Sequence, residues 1–469
     1  MPPLQFSLIG HVVMVNQFEP LVQAGKNGLI EPLAAASWDI SKDHLTVRFK
    51  IDPNRKFSDG TSLQAADFKR SWEDGLRLTA VSTNKSLADA LCNLKGFESL
   101  AATGHIEGIR VLGKDILELE FKTPIRSFLG DLAGVRCAAY RVVEGHPIGT
   151  GPYIMQDRGS ALDLRPNPYY SGAERRFEAI RIVVTSPAEA ADKLRTGDVD
   201  ATLFAEKLNI SECEKGNSDR IHCVFGQESD HVAIDVNGLP GGLFADRRNR
   251  LALQALILER LQNGVLPAAL QQGHFVRDPQ SFLPFQPGRI ADADADRLGD
   301  AGRKDIARLK KLSKAKPIYL ISGTDCDWLI RLLTEAGLSV SPLSGRVDYK
   351  DLFEIFYHTQ KADLLYGNFS VYTGDPDGLY HALGKHGAIA SPMTSRASVA
   401  DLLEKGRTML DRAALPAHYA KVGREILAEV PYVHLGYKSR AVAYNAERTR
   451  IAESFVMREN TRMTIFEPR

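Results

Sequence analysis

The sequence predicts a mixed α/β protein with at least two lobes. One observation is its length: 469 residues exceed one ordinary domain and give ample capacity for more than one core. A second is a pair of strand, helix, strand patterns at 177–204 and 316–343, far enough apart in the chain to belong to different lobes. A third is composition. Hydrophobic content of 44%, charged content of 25% and a net charge of +1 describe an ordinary globular chain. That balance excludes an electrostatic footprint for nucleic acid or an anionic membrane.

The opening stretch MPPLQFSLIGHVVMVNQFEPL has no basic segment followed by an apolar one, so no export signal is read there. No apolar run approaches the roughly 18 residues of a spanning helix. "LTVRFKI" at 45–51 and "ILELEFK" at 116–122 alternate apolar and polar residues and are expected to be half-buried strands. Between them, "FSDGTSLQAADFKRSWE" at 57–73 reads as a turn running into a helix. Asp59 and Gly60 suit a turn that needs φ > 0, Thr61 or Ser62 is the expected cap, and Phe68, Trp72 and Leu76 recur on one helical face.

Farther on, "FEAIRIVVTS" is an expected strand, "PAEAADKLRTG" a helix stopped by Gly197, and "DVDATLF" another strand. "KPIYLISG" opens the second pattern, with a helix through Trp328, Leu329, Leu332 and Leu333 ending at Gly337, and then "LSVSPL". The basic run "RKDIARLKKLSKAK" carries Ile306, Leu309 and Leu312 on one stripe and reads as a solvated helix face. The five cysteines are scattered with no CxxC pair, which argues against a zinc cage. Cys213 and Cys223 flank a short polar loop and suit either a disulfide in an oxidising compartment or two buried thiols.

Catalytic patterns are missing. His381 and His386 have a spacing that serves neither one helix face nor a hairpin pair as a metal site. "PIGTGPY" has no nucleophile elbow and no phosphate-binding lysine. Asp198 and Asp200 of "GDVD" read as solvated turn residues beside a helix stop.

The stretch "IEPLAAASWDISKDHLTVRFKIDPNRKFSDGTSLQAADFKRSWE" resembles the hallmark of the oligopeptide and dipeptide (family 5) class of extracytoplasmic solute-binding proteins, which serve ATP-driven (ABC) importers. Pro32, Leu33, Ala34, Ser37, Trp38, Phe57, Asp59, Gly60, Ala65, Asp67 and Phe68 match its pattern. "TPIRSFLGDLA", "PIGTGPY", "RPNPYYSG", "LRTGDVDA", "IDVNG", "FADRRNRLAL", "GDPDG" and "ILAEVPYVHLGY" follow in the family's order. The resemblance implies a two-lobed, periplasmic-binding-protein-like type II fold with an extra inserted domain. It places 1–36, 148–230 and 431–469 in the first lobe, 37–147 in the inserted second domain and 231–430 in the second ligand-binding lobe. It also implies a binding protein and not an enzyme, with no cofactor, in the periplasm or another extracytoplasmic space. The two lobes would close over a small solute or peptide and deliver it to a permease. No nucleic acid is involved, and a membrane is met only through the permease or a lost lipid anchor.

Departures from the family pattern bear on the ligand. Peptide-binding relatives carry Gly-Trp-x-x-Asp ahead of Asp-Pro, and that aspartate pairs with the peptide's free amine. Here "GNFSVYTGDPDG" puts Phe369 at the tryptophan position and Tyr372 at the aspartate position. Tyr372 suits stacking or hydrogen bonding to a neutral ligand, or a cation over its face. Asp375 remains near, in a turn motif. The chain begins at about the turn that follows the family's first strand, so Leu8 and Ile9 become expected contacts or simple packing residues. "ALILERL" at 255–261 stands where relatives usually carry Ala-Ile-Asp-Arg, with Leu256 to Glu259 replacing it, a difference that carries no functional inference. The expected ligand wall is therefore Leu8, Ile9, Phe369, Tyr372 and Asp375. The alternatives are a sensing module on the same fold, or a non-peptide ligand such as an opine or sugar, a metal chelate or haem.

Overall fold

The computed structural model describes residues 2, 10, 13–25, 29–79, 86–157, 159, 161–172, 177–203, 218–226, 230–264, 270, 275–323, 326–342, 361–370, 375–385, 387, 391–451 and 462–468. The chain folds into two compact units, Met1–Gly226 with Ala441–Arg469, and Gln227–Arg440. No helix among the described residues is long and apolar enough to cross a membrane.

In the first unit, the alternation of TVRFKI buries Val47, Phe49 and Ile51 and leaves Arg48 and Lys50 outside. The strand Thr46–Ile51 lies between Ala35–Ile40 and Ile116–Glu120, and Ile109–Val111 completes an antiparallel four-stranded sheet. The helix Ala65–Thr79 contributes Phe68, Trp72 and Leu76 to the core that also holds Val47, Phe49 and Ile51. Burying each such side chain is worth about 1.5–3 kcal/mol. The Trp72 indole N–H is satisfied by the Cys137 carbonyl at 2.8 Å.

The helix starts later than the sequence suggests. Thr61 does not cap it: its N–H and hydroxyl both donate to Asp59, at 2.9 and 2.6 Å. Asp67 reaches back instead and accepts from the Gln64 N–H at 2.9 Å, satisfying a donor of the first turn. Gly60 has φ 85°, and a Cβ there would lie 2.9 Å from the Tyr169 ring. The Ser58 N–H donates to the Gly149 carbonyl at 3.1 Å. The turn at 57–61 is thus a packing surface for the "PIGTGPY" and "RPNPYYSG" segments, which explains its demand for glycine. Beside it Glu19 is wholly buried, accepting from Thr150 at 2.9 Å, Arg55 at 3.3 Å and Arg462 at 3.0 Å.

The pattern at 177–204 forms its three elements but not a parallel unit. The helix Pro187–Thr196 opens with a Ser186/Glu189 capping box and ends at Gly197 with φ 84°. Ile180–Val183, however, pairs antiparallel with Ala161–Pro166, while Ala201–Leu203 pairs antiparallel with Ala441–Asn445 in a different sheet. Strand partners distant in sequence override the local order. Cys223, in the strand Ile221–Phe225, is disulfide-bonded, and Cys92, Cys137 and Cys326 are thiols outside any disulfide. Cys213 lies outside the described residues.

The second unit is built on a six-stranded sheet in the order Val276–Arg277, Tyr432–Lys438, Asp230–Val236, Leu364–Ser370, Ile318–Ser322, Val340–Pro342. Ile318–Ser322 pairs parallel with Val340–Pro342, with the helix Asp327–Glu335 between them in sequence, as the second pattern predicts. Val232, Ile234 and Val236 share a core with Leu253, Leu256 and Ile257 of the helix Arg247–Asn263. The other sheet face packs Ala233 and Tyr432 with residues of the helices Ala397–Arg407 and Leu415–Glu429. In the helix Ile306–Ala315 only Leu309 of the apolar stripe is fully buried, and its lysines are at least partly exposed. Tyr432–Lys438, expected in the first lobe, belongs to this unit because Asp230–Val236 pairs along it; the chain returns to the first unit at 440/441.

Candidate ligand site

Side-chain alternation along Asp230–Val236 separates Val232, Ile234 and Val236 from His231, Ala233 and Asp235. Asp230 and Lys438 are register partners, and so are His231 and Tyr437, and His231 and Phe369. Asp230, the first residue of its strand, and Lys438, the last of its own, stand at the sheet end that carries His231, Phe369 and Tyr437. Arg440 closes that end by a two-pronged ion pair with Asp230, at 2.8 and 3.0 Å.

Phe369, partly buried, stacks on His231 with ring centroids 4.5 Å apart and planes 11° off parallel, and meets Tyr432 edge-on at 5.7 Å. Beneath it two histidines form a chain. His434 Nδ1 lies 2.7 Å from the Asp278 carbonyl, which can only accept, so that nitrogen is assigned the proton. His434 Nε2 is then an acceptor, 3.1 Å from His231 Nδ1, which must donate. Both histidines are buried, and desolvation lowers their basicity: His434 falls to about 4 and His231 well below its ordinary value. Tyr437 donates its hydroxyl to the Gln280 carbonyl. Asp235, partly buried on the same strand, is pushed up to about 7 by desolvation.

Asp375 has a local task. It is the N-cap of the 3₁₀ turn Pro376–Leu379, where its carboxylate accepts from the Asp377 N–H at 2.9 Å, and its carbonyl accepts from Gln286 at 3.3 Å. The structure thus brings Phe369 into an aromatic and histidine wall and gives Asp375 a capping role. Leu8, Ile9 and Tyr372 lie outside the described residues, as does His386 of the spacing considered for a metal. Among the described residues no group of three or more His, Cys, Asp or Glu is placed to hold a metal ion. Sequence reading missed His231 and His434. The available signal was strand alternation in "DHVAIDV" and "YVHLGYK", but the two residues are 203 positions apart and nothing local pairs them.

A family model for bacterial extracellular solute-binding proteins, family 5 (middle), matches residues 30–289. The chain belongs to that family. It is 26% identical over 333 residues to the periplasmic murein peptide-binding protein MppA of Escherichia coli K12, covering 66% of this chain and 60% of the relative. Across this and four further curated relatives the alignments span between 24% and 60% of those proteins' lengths. The fold is shared with the periplasmic oligopeptide-binding protein OppAIV of Borrelia burgdorferi, with a TM-score of 0.80 at 16% identity over 100% of this chain and 97% of that one. It is shared also with AgaA of A. tumefaciens R10 in complex with agropinic acid, with a TM-score of 0.77 at 18% identity over 100% and 96% of the two chains. The chain thus has the fold of these periplasmic binding proteins, in agreement with its mixed α/β architecture.

Proposed function

We propose that this chain is an extracytoplasmic solute-binding protein, not an enzyme, that captures a peptide or peptide-like solute and delivers it to the permease of an ABC-type importer. The observation that carries the reading is the family 5 match across residues 30–289. Phe369, half-buried and backed by the buried rings of His231 and Tyr437, supports the reading, because it sets an aromatic face beside fixed polar groups, the usual composition of a small-molecule site. Closure of two lobes, an inserted domain at 37–147, a second ligand-binding lobe whose end is moved from 430 to 440 to take in the strand Tyr432–Lys438, and the contact residues Leu8, Ile9, Phe369, Tyr372 and Asp375 belong to the same proposal.

The test is native mass spectrometry of freshly purified protein, with identification of what denaturation releases. Short peptides of mixed sequence support the reading; a single non-peptide mass, or no cargo together with no binding of added peptides, overturns it. Tyr372→Ala is expected to weaken binding without loss of fold. Unchanged affinity removes Tyr372 from the wall.

A further inference from the structure

The histidine chain ends on an atom with nothing to accept. Asp278 C=O fixes the proton on His434 Nδ1, His434 Nε2 fixes the proton on His231 Nδ1, and His231 Nε2 is left as a bare lone pair. That nitrogen is buried and has no hydrogen-bond partner among the described residues. The other tautomer of His231 would aim two lone pairs at each other across 3.1 Å. Leaving a buried polar atom unmatched opposes folding, so an orphan of this kind calls for an explanation. The ring is also held against rotation, stacked on Phe369 at 4.5 Å and crossed by Tyr437 at 5.0 Å and His434 at 5.1 Å.

We propose that His231 Nε2 accepts a hydrogen bond from a neutral N–H donor of the bound solute, namely a peptide backbone amide, and that Asp278 and His434 position it by fixing its tautomer. This rests on the binding reading above and deepens it. An ammonium group would call for a carboxylate, and the family's amine-binding aspartate is replaced by Tyr372. A neutral imidazole nitrogen flanked by aromatic rings instead suits a neutral donor, and burial keeps His231 unprotonated at neutral pH. A metal ion is the weaker occupant, since no group of three ligands stands around it among the described residues.

The test uses the full chain stripped of cargo in guanidinium, refolded, and titrated with a random tripeptide library. In protein labelled with ¹⁵N-histidine, saturation with the library is expected to shift His231 Nε2 in the direction of an accepted hydrogen bond, while His231 Nδ1 and His434 Nδ1 keep their protons. His231→Asn retains a donor toward His434 and deletes the Nε2 acceptor; with its circular dichroism unchanged, it is expected to bind the library about tenfold more weakly. Library binding that leaves the Nε2 signal where it was, or a folded Asn variant with wild-type affinity, overturns the role of His231 while the binding reading stands. Wild-type protein that binds nothing in the library overturns both.

Discussion

Asp230 and Arg440 hold each other by two parallel hydrogen bonds, 2.8 and 3.0 Å long, at the places where the chain enters and leaves its second unit. The Arg440 side chain is 3% exposed and that of Asp230 14%, so water screens the pair little. The pair ties the first residue of Asp230–Val236 to the residues that follow Tyr432–Lys438, and thereby fixes the register that sets His231 against Tyr437.

Removing one partner strands a buried charge. Arg440→Ala is expected to destabilise the protein by about 3–5 kcal/mol, and Arg440→Lys by less, because an ammonium keeps the charge but loses the two-pronged geometry. Urea unfolding decides it: an Arg440→Ala midpoint equal to wild type would mean that the strand ladder holds this end without the pair.

Acid should weaken the second unit through its buried histidines. The folded-state pKa of His434, about 4, lies below its unfolded value of 6.5, so the unfolded chain binds the proton first. The stability that comes from keeping His434 neutral is complete above pH 6.5 and is lost as pH falls through 4, about 3 kcal/mol in all. His231 is lowered too and acts in the same direction. Asp235 acts in the opposite one: raised from 3.8 to about 7, it favours the fold below pH 3.8 and loses that contribution as pH rises through 7. Thermal melting from pH 7 to 4 is therefore expected to show a decline that becomes steeper in Asp235→Asn. A parallel decline in the two proteins would contradict the carboxylate's raised pKa.

What the sequence revealed, and what it hid, follows from the range of each interaction. Phe68, Trp72 and Leu76 are spaced by the helix itself, and Gly60 is demanded by its own φ, so both were legible. The start of that helix was misplaced because the Thr61 hydroxyl, which as a cap would accept from a helix N–H, donates instead to Asp59, and the turn holds Thr61 away from the helix terminus. The strand Ile180–Val183 was recognisable by composition, but its partner was not, since an antiparallel neighbour and a parallel one ask for the same residues. The site was less legible still. Phe369 emerged from a family pattern, while His231 and His434 looked like isolated histidines until one strand pairing brought them to 3.1 Å.

Glu19 supports the first unit in a comparable way. It is fully buried and receives Thr150, Arg55 and Arg462 on its two oxygens. Glu19→Ala takes the shared carboxylate from Arg462 and leaves Arg55 the longer pair with Asp52 at 3.5 Å, and is expected to cost about 3–5 kcal/mol, whereas Thr150→Val removes one hydrogen bond and costs about 1 kcal/mol. Equal losses in the two variants, measured by denaturant unfolding, would show that the arginines find other acceptors.

Asp375 separates a capping role from a binding role. As an N-cap it needs an oxygen toward the Asp377 N–H, which asparagine also offers, so Asp375→Asn is expected to keep wild-type stability while Asp375→Ala loses about 1 kcal/mol. As a ligand contact it would need its charge, which asparagine lacks. Both variants should therefore be titrated with the same peptides and melted in the same buffer. If Asp375→Asn is as stable as wild type and binds as well, the carboxylate serves the turn. A loss of affinity in Asp375→Asn without a loss of stability would return Asp375 to the ligand wall, because only the solute would then have missed the charge.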